Sequence, residues 1–444
     1  MELFRFFHHN SDNHVTIKNV DEKRRSIGRL LIFACFFIYT SSMAVKGIFV
    51  AELEYVRTMW NLEFATMSMT NTFYFVAYGL VQVLLFFIIS KINIKHLMII
   101  TIPISAVCSC LMGVTTNVYQ MWAFFGLTGA FQASVYCGCN YMLTRYLPVK
   151  QLTSANRVMN LGYAFGTVIS YALCALCITY DLWQIPYFVL SGVLGLAVLI
   201  FSIVLIKAQR YEKVNKLLDK KQSTSSNGKV KVKEKEKPLF TLETKKKLIM
   251  FYAIDLTMAF LITSLYYCVM NYITSLLVDV HGMDKSVSVY VTIIAPIMVA
   301  LGPMMTISSC DKDRNFIREA ILYSLLLIPI VLLLAFFYDL NVWFALVLSV
   351  AFVVIANGVK AIVLSVMTFK MRDMINAGAY SAISNAIASI SAGVTPTVIG
   401  RIIDASGWRA AYFTTLGVAS FIILALVIIN LIVKSSNKTI KTEV

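Results

Sequence analysis

Trp183-x-x-x-Tyr187-Phe188-x-x-x-Gly192-Val193 returns 225 residues later as Trp408-x-x-x-Tyr412-Phe413-x-x-x-Gly417-Val418. At the same offset Asn160 falls on Asn385, Arg145 on Lys370 and Gln132 on Asn357. A single match of this kind carries little weight. Matches spread over three segments at one offset point to an internal duplication, each copy about half of the 444-residue chain. Between the copies lies the stretch 207–247. It contains Gln222-Ser-Thr-Ser-Ser-Asn-Gly228 followed by Lys229-Val-Lys-Val-Lys-Glu-Lys-Glu-Lys237. That composition predicts a solvated, flexible linker.

On either side of the linker the chain is a series of long apolar runs. A bilayer core of roughly 30 Å needs about 20 apolar residues per helix. Runs of that kind fall at 27–50, 67–90, 97–115, 119–143, 156–179 and 186–206, then at 248–278, 286–308, 317–337, 341–368, 377–400 and 408–433. Lipid offers backbone amides no partner, so each run is expected to be helical. The expected fold is an all-α membrane protein of twelve transmembrane helices, built as two six-helix pseudo-repeats. The expected division is a tail at 1–26, a bundle at 27–206, a linker at 207–247, a second bundle at 248–433 and a tail at 434–444.

Composition agrees. Hydrophobic residues make up 59% of the chain and charged residues 14%, against roughly half and a quarter in soluble domains. The net charge is +16, which in a soluble protein would suggest nucleic acid. Here its distribution assigns it to topology instead. With the N-terminus in the cytoplasm, inner segments hold 33 of the 39 Lys+Arg and outer loops hold Arg57, Lys285, Arg401 and Arg409. The outer loops also collect acids, among them Glu52, Glu54, Asp181, Asp279, Asp284 and Asp404. By the positive-inside rule both termini are expected in the cytoplasm of a multi-pass protein of the cell membrane, plasma or inner. The polar first 26 residues read as a cytoplasmic tail and not as a signal peptide. No nucleic-acid partner is expected, and the chain is expected to be a monomer in the lipid bilayer.

Enzyme signatures are missing. No phosphate-cradling Gly-Lys-Ser/Thr loop is present, so hydrolysis of ATP is not expected. The five His lie outside the apolar runs. Cys137-Gly-Cys139 and Cys174-Ala-Leu-Cys177 have no His beside them and read as small apolar filler, so neither a metal nor a cofactor is expected.

The informative residues are those that lipid should exclude. A charge inside a span costs a few kcal/mol or more and is functional by default. Lys46 lies deep in the first run and Lys360 in the tenth. Apart from Glu319 at the very start of the ninth run, the one acid inside a run is Asp255, near the inner end of the seventh. It can neutralise one lysine at most, so an anionic substrate is the expected partner of the other, with Asp255 a candidate proton-coupling group. Asn357 shares a helix face with Lys360, being three residues away. Gln132, Asn160, Asn385, Tyr267 and Asn271 complete a set of amides and phenols able to orient an oxygen-rich ligand.

These residues resemble the major facilitator superfamily. Arg145-Tyr-Leu-Pro148 at the end of the fourth run, Asn160-Leu-Gly-Tyr-Ala-Phe-Gly166 in the fifth and Gly400-Arg-Ile-Ile-Asp404-x-x-Gly407-Trp408 between the last two carry the likeness. Within the superfamily, Lys46-Gly-Ile-Phe49 after Tyr39, and Tyr74-x-x-x-Tyr78-Gly79, are similar to the organophosphate:phosphate antiporter group. That resemblance implies alternating access, with the substrate held between the two halves by Lys46 and Tyr74. The group's second basic residue, in the seventh helix, has no counterpart in Leu265-Tyr-Tyr-Cys-Val-Met-Asn271. The expectation is a secondary transporter of a small organic anion, a phosphate ester or carboxylate, acting as antiporter or proton symporter. An exporter of drugs or a non-transporting sensor are the alternatives.

Overall fold

Every described element is helical in the computed structural model, which describes residues 13–88, 94–147, 149–223, 242–310, 316–367 and 377–442. The first half comprises α1 (Asn13–Met59), α2 (Phe64–Ile88), α3 (Ile94–Met112), α4 (Val118–Tyr146), α5 (Val149–Ile178) and α6 (Ile185–Ser223). The second comprises α7 (Leu242–Met270), α8 (Ile273–Asp279), α9 (Lys285–Thr292), α10 (Ile294–Val299), α11 (Leu301–Cys310), α12 (Phe316–Phe337), α13 (Val342–Ala361) and α14 (Ala377–Thr442). These elements form twelve membrane-spanning helices. The seventh span is α7 with α8, the eighth is α9 to α11, and a π-helical turn, Ile362–Met367, extends α13. The last two spans share α14, which breaks at Gly407, where φ is +77°. Only a residue without Cβ adopts that angle readily.

The breaks have sequence causes. In the eighth span the carbonyls of Thr292 and Val299 would bond to the amides four residues on, but those residues are Pro296 and Pro303, which have no N–H. The helix divides at these points into α9, α10 and α11. At the head of α9, Asp284 accepts from the amides of Ser286 and Val287. This caps two otherwise orphaned donors.

Several helices outrun their apolar runs. α1 begins at Asn13 and continues to Met59, α6 runs on to Ser223, and α7 starts at Leu242. Polar helix-forming residues extend each helix past the hydrocarbon, and the linker residues 224–241 lie outside the described set. One consequence corrects the topology reading. Glu52 and Glu54 are not loop residues. They sit in α1 and are 1% and 2% exposed. The segment stays helical because Leu53 and Val56 bury one face, and Glu54 pairs with Arg57 one turn later at 2.7 Å. Arg401 and Asp404 are likewise helical, in α14 before its break.

Two apolar cores result. One gathers mainly residues from Leu31 to Leu205, the other mainly residues from Met258 to Leu426. The halves meet where α2 packs along α14 and where α5 packs on α9 and α10. At the end of the molecule away from the linker, here the distal end, these contacts are closed. Asp404 Oδ1 and Oδ2 accept from the amides of Phe64 and Ala65 at 3.0 and 2.9 Å. A carboxylate thereby sits on the positive N-terminus of α2. The Tyr272 hydroxyl donates to the Pro396 carbonyl and lies 2.7 Å from Ser68 Oγ. The Thr72 hydroxyl donates to the Gly393 carbonyl at 2.8 Å. Phe64 stands edge-on to both Tyr272 and Trp408. Closure needs Gly400, where a Cβ would stand 2.6 Å from the Tyr272 hydroxyl and 2.9 Å from the Ala65 nitrogen.

Candidate functional site

Directly on the linker side of this seal lies a cavity of about 270 Å³ between the halves. That is the small end of the range for ligand pockets, roughly 300–1,000 Å³. α1 contributes Tyr39, Met43 and Lys46, and α2 contributes Tyr74, Phe75, Tyr78 and Gln82. Tyr136 of α4 and Tyr163 of α5 complete the first half's wall. Across from them stand Thr263 and Tyr267 of α7, Lys360 of α13 and Asn385 of α14. A narrower extension of about 30 Å³ runs from Lys46 between α1, α5 and α7, reaching Val50, Tyr171 and Asn271.

The two lysines dominate the chemistry. Lys46 Nζ lies 4.4 Å from the centroid of the Phe75 ring and 5.8 Å from that of Tyr163. Lys360 Nζ lies 4.2 Å from the Tyr266 ring and 5.9 Å from Tyr267. Among the described residues neither ammonium has a hydrogen bond or a carboxylate partner. Ring contacts of this kind contribute about 0.5–2 kcal/mol each and leave the charge in place. The site therefore brings two lysine amino groups to one cavity from opposite halves.

Phenols surround them. Tyr74 stacks on Tyr78 at 6.0 Å, and Tyr39 lies 5.8 Å from Tyr136. The Tyr74 hydroxyl donates to Gln132 Oε1 at 2.6 Å, so Gln132 stands behind the wall and orients Tyr74 without lining the cavity. The second amide atom of Gln132, Nε2, is buried without a partner, as are Asn271 Nδ2 in the extension and Thr263 Oγ1 and Gln82 Oε1 in the main cavity.

Of the residues singled out from sequence, Lys46, Tyr74, Tyr267, Lys360 and Asn385 come together in the main cavity, and Asn271 in its extension. Asn357 goes elsewhere. Its Nδ2 donates to the Val299 carbonyl at 3.0 Å, the acceptor that Pro303 leaves unpaired. The side chains of Asn160 on α5 and Asp255 on α7 lie outside the described residues. Sequence reasoning missed Tyr136, Tyr163, Gln82 and Thr263. Tyr163 was within reach, being the one phenol inside Asn160-Leu-Gly-Tyr-Ala-Phe-Gly166.

Comparison with known proteins bears on the fold and family. A family model described as Major Facilitator Superfamily matches residues 31–391. The crystal structure of a bacterial homolog of the human lysosomal transporter Spinster, inward-facing and unoccupied, superposes with a TM-score of 0.67 at 14% identity. That match covers 90% of this chain and 97% of the other. The nucleoside transporter NupG gives 0.64 at 12% identity, over 89% and 98% of the two chains. No curated protein matches the sequence.

Proposed function

The chain belongs to the major facilitator superfamily and is a multi-pass membrane transporter, and on that footing we propose that it carries a small organic anion, a phosphate ester or carboxylate, by alternating access. One observation carries the reading: two ammonium groups, one from each half, face a single cavity with no carboxylate on them among the described residues. A dianion bridging Lys46 and Lys360 would neutralise both and draw the halves together. The phenols would accept or donate to its oxygens, and the size of the cavity favours a compact molecule. A carrier of hydrophobic cations would need the opposite charge on these walls.

The distal seal and the cavity on its linker side support an inward-facing resting state. The distribution of Lys and Arg supports placing the linker and both termini in the cytoplasm of a cell membrane. Exchange against inorganic phosphate, or symport with a proton, would drive net movement.

The test is counterflow in proteoliposomes of the full chain, with glycerol phosphate, inorganic phosphate and succinate as probes. Lys46→Gln and Lys360→Gln each remove one charge-assisted contact of about 1.5–3 kcal/mol. Each is expected to raise the half-saturating concentration roughly ten- to hundred-fold. Counterflow that both variants leave unchanged would overturn the anion site. Binding by thermal shift without any counterflow would make the protein a sensor.

A further inference from the structure

Outside the cavity, one buried acid is left unused. Glu52 lies on α1, two turns beyond Lys46 toward the distal end, and is 1% exposed. Both of its carboxyl oxygens are buried without a hydrogen-bond partner. Its neighbour Glu54 is different, holding Arg57 through two contacts at 2.7 and 3.1 Å. The groups that face Glu52 from the packed helices are the Cys174 and Cys177 thiols of α5 and the Tyr187 hydroxyl of α6, with Tyr55 on its own helix. None of them carries positive charge. The Tyr187 hydroxyl is itself buried without a partner.

An ionised carboxylate in that setting would cost several kcal/mol, because neither water nor a cation reaches it. The neutral acid removes most of that cost, so the site holds a proton for as long as its cover shuts out water from both sides. Its position lies between two wetter regions. Toward the distal surface, Tyr55 donates to Asp181 at 2.8 Å, and Asp181 is exposed. Toward the cavity, the extension beside Lys46 ends at Val50 and Tyr171, and Tyr171 is one turn of α5 from Cys174. Both neighbouring helices pack directly on α1, so any rearrangement of the first half changes what covers this carboxyl.

We propose that Glu52 is the proton-carrying site of the transport cycle, loaded from the distal side and discharged on the linker side. The carboxylate takes one proton from distal water when that end opens. It returns one proton to water of the linker side once a rearrangement of the first half lets cavity water reach it, and no other bond changes. Ionised Glu52 on the same helix as Lys46 then offsets one of the two positive charges of the empty carrier. This inference rests on the chain being a transporter, and not on the identity of the anion.

Two measurements on the full-length protein test it. In purified protein, infrared difference spectra between acid and alkaline pH are expected to show a carboxylic-acid C=O band that Glu52→Gln removes and Glu52→Asp shifts. In proteoliposomes enclosing a pH-sensitive dye, an inorganic phosphate gradient is expected to move protons with the wild type. Glu52→Gln is expected to retain phosphate counterflow and to lose at least ten-fold of the proton movement. A C=O band that survives in Glu52→Gln, or proton movement equal to wild type, overturns the proposal. If neither protein moves phosphate, the choice of anion fails, and the infrared band alone decides the fate of Glu52.

Discussion

At the scale of single residues, the site divides into charges that were legible in the sequence and shapes that were not. Lys46 and Lys360 stood out because hydrocarbon penalises an ammonium wherever the helix turns it. Tyr136 and Tyr163 did not stand out, since a tyrosine in a span fits a core, a lipid interface or a binding wall equally well. Asn357 shows the limit of helical spacing: it does share a face with Lys360, but a carbonyl freed by Pro303 claims its amide. The Tyr74–Gln132 pair yields a prediction at this scale. Tyr74→Phe removes the donor and leaves a buried Gln132 amide with no partner at all. A loss of about 1 kcal/mol of stability is expected. Denaturant or thermal unfolding in detergent would measure it, and an unchanged midpoint would mean that Gln132 finds water instead.

At the scale of elements, the apolar runs told where helices lie because lipid leaves the backbone no other choice. They told less about where helices end. α1 outlasts its hydrophobic run by taking Glu52 and Glu54 inside, and the distal turns of α14 carry Asp404 to the head of α2. Asp404→Asn keeps the shape but loses the charge and one of the two acceptor oxygens. The closed form is expected to weaken by about 1.5–3 kcal/mol, a ten-fold or larger shift toward distal opening. Spin labels at the exposed Asn61 and Leu340 would report it as a longer distance population. Gly400→Val is expected to act the same way by steric means, since Tyr272 and Ala65 leave its Cβ no room. Asp284 allows a prediction on pH. The Ser286 hydroxyl and the amides of Val287 and Ser286 hold its carboxyl below the usual carboxylate range. A depressed value means the cap is fully in place above the ordinary range and is lost as pH falls through the lowered one. Asp284→Ala is expected to cost about 1 kcal/mol near neutral pH. The cost should disappear in acid, as thermal unfolding against pH would show.

At the scale of the whole molecule, the duplication and the two-bundle plan were readable from one repeated pattern, whereas the closure between bundles was not. It depends on side chains more than 300 residues apart, such as Thr72 with Thr397, and a single sequence contains no trace of which surfaces meet. The resting state is open to a direct check. On a cysteine-free background, Gln82→Cys and Leu364→Cys should react with a hydrophilic maleimide from the linker side. Ser68→Cys and Thr397→Cys should stay protected, and equal labelling of the two pairs would mean that another state is populated. The seal also has an asymmetry with a longer reach. On the α2 side Asp404 grips only main-chain amides, a feature shared by nineteen of the twenty residue types. Positions 64 and 65 can therefore drift to anything but proline without unfastening that contact, while the whole liability falls on residue 404. A genetic screen for carriers stuck open should return hits at Asp404 far more often than at its partners.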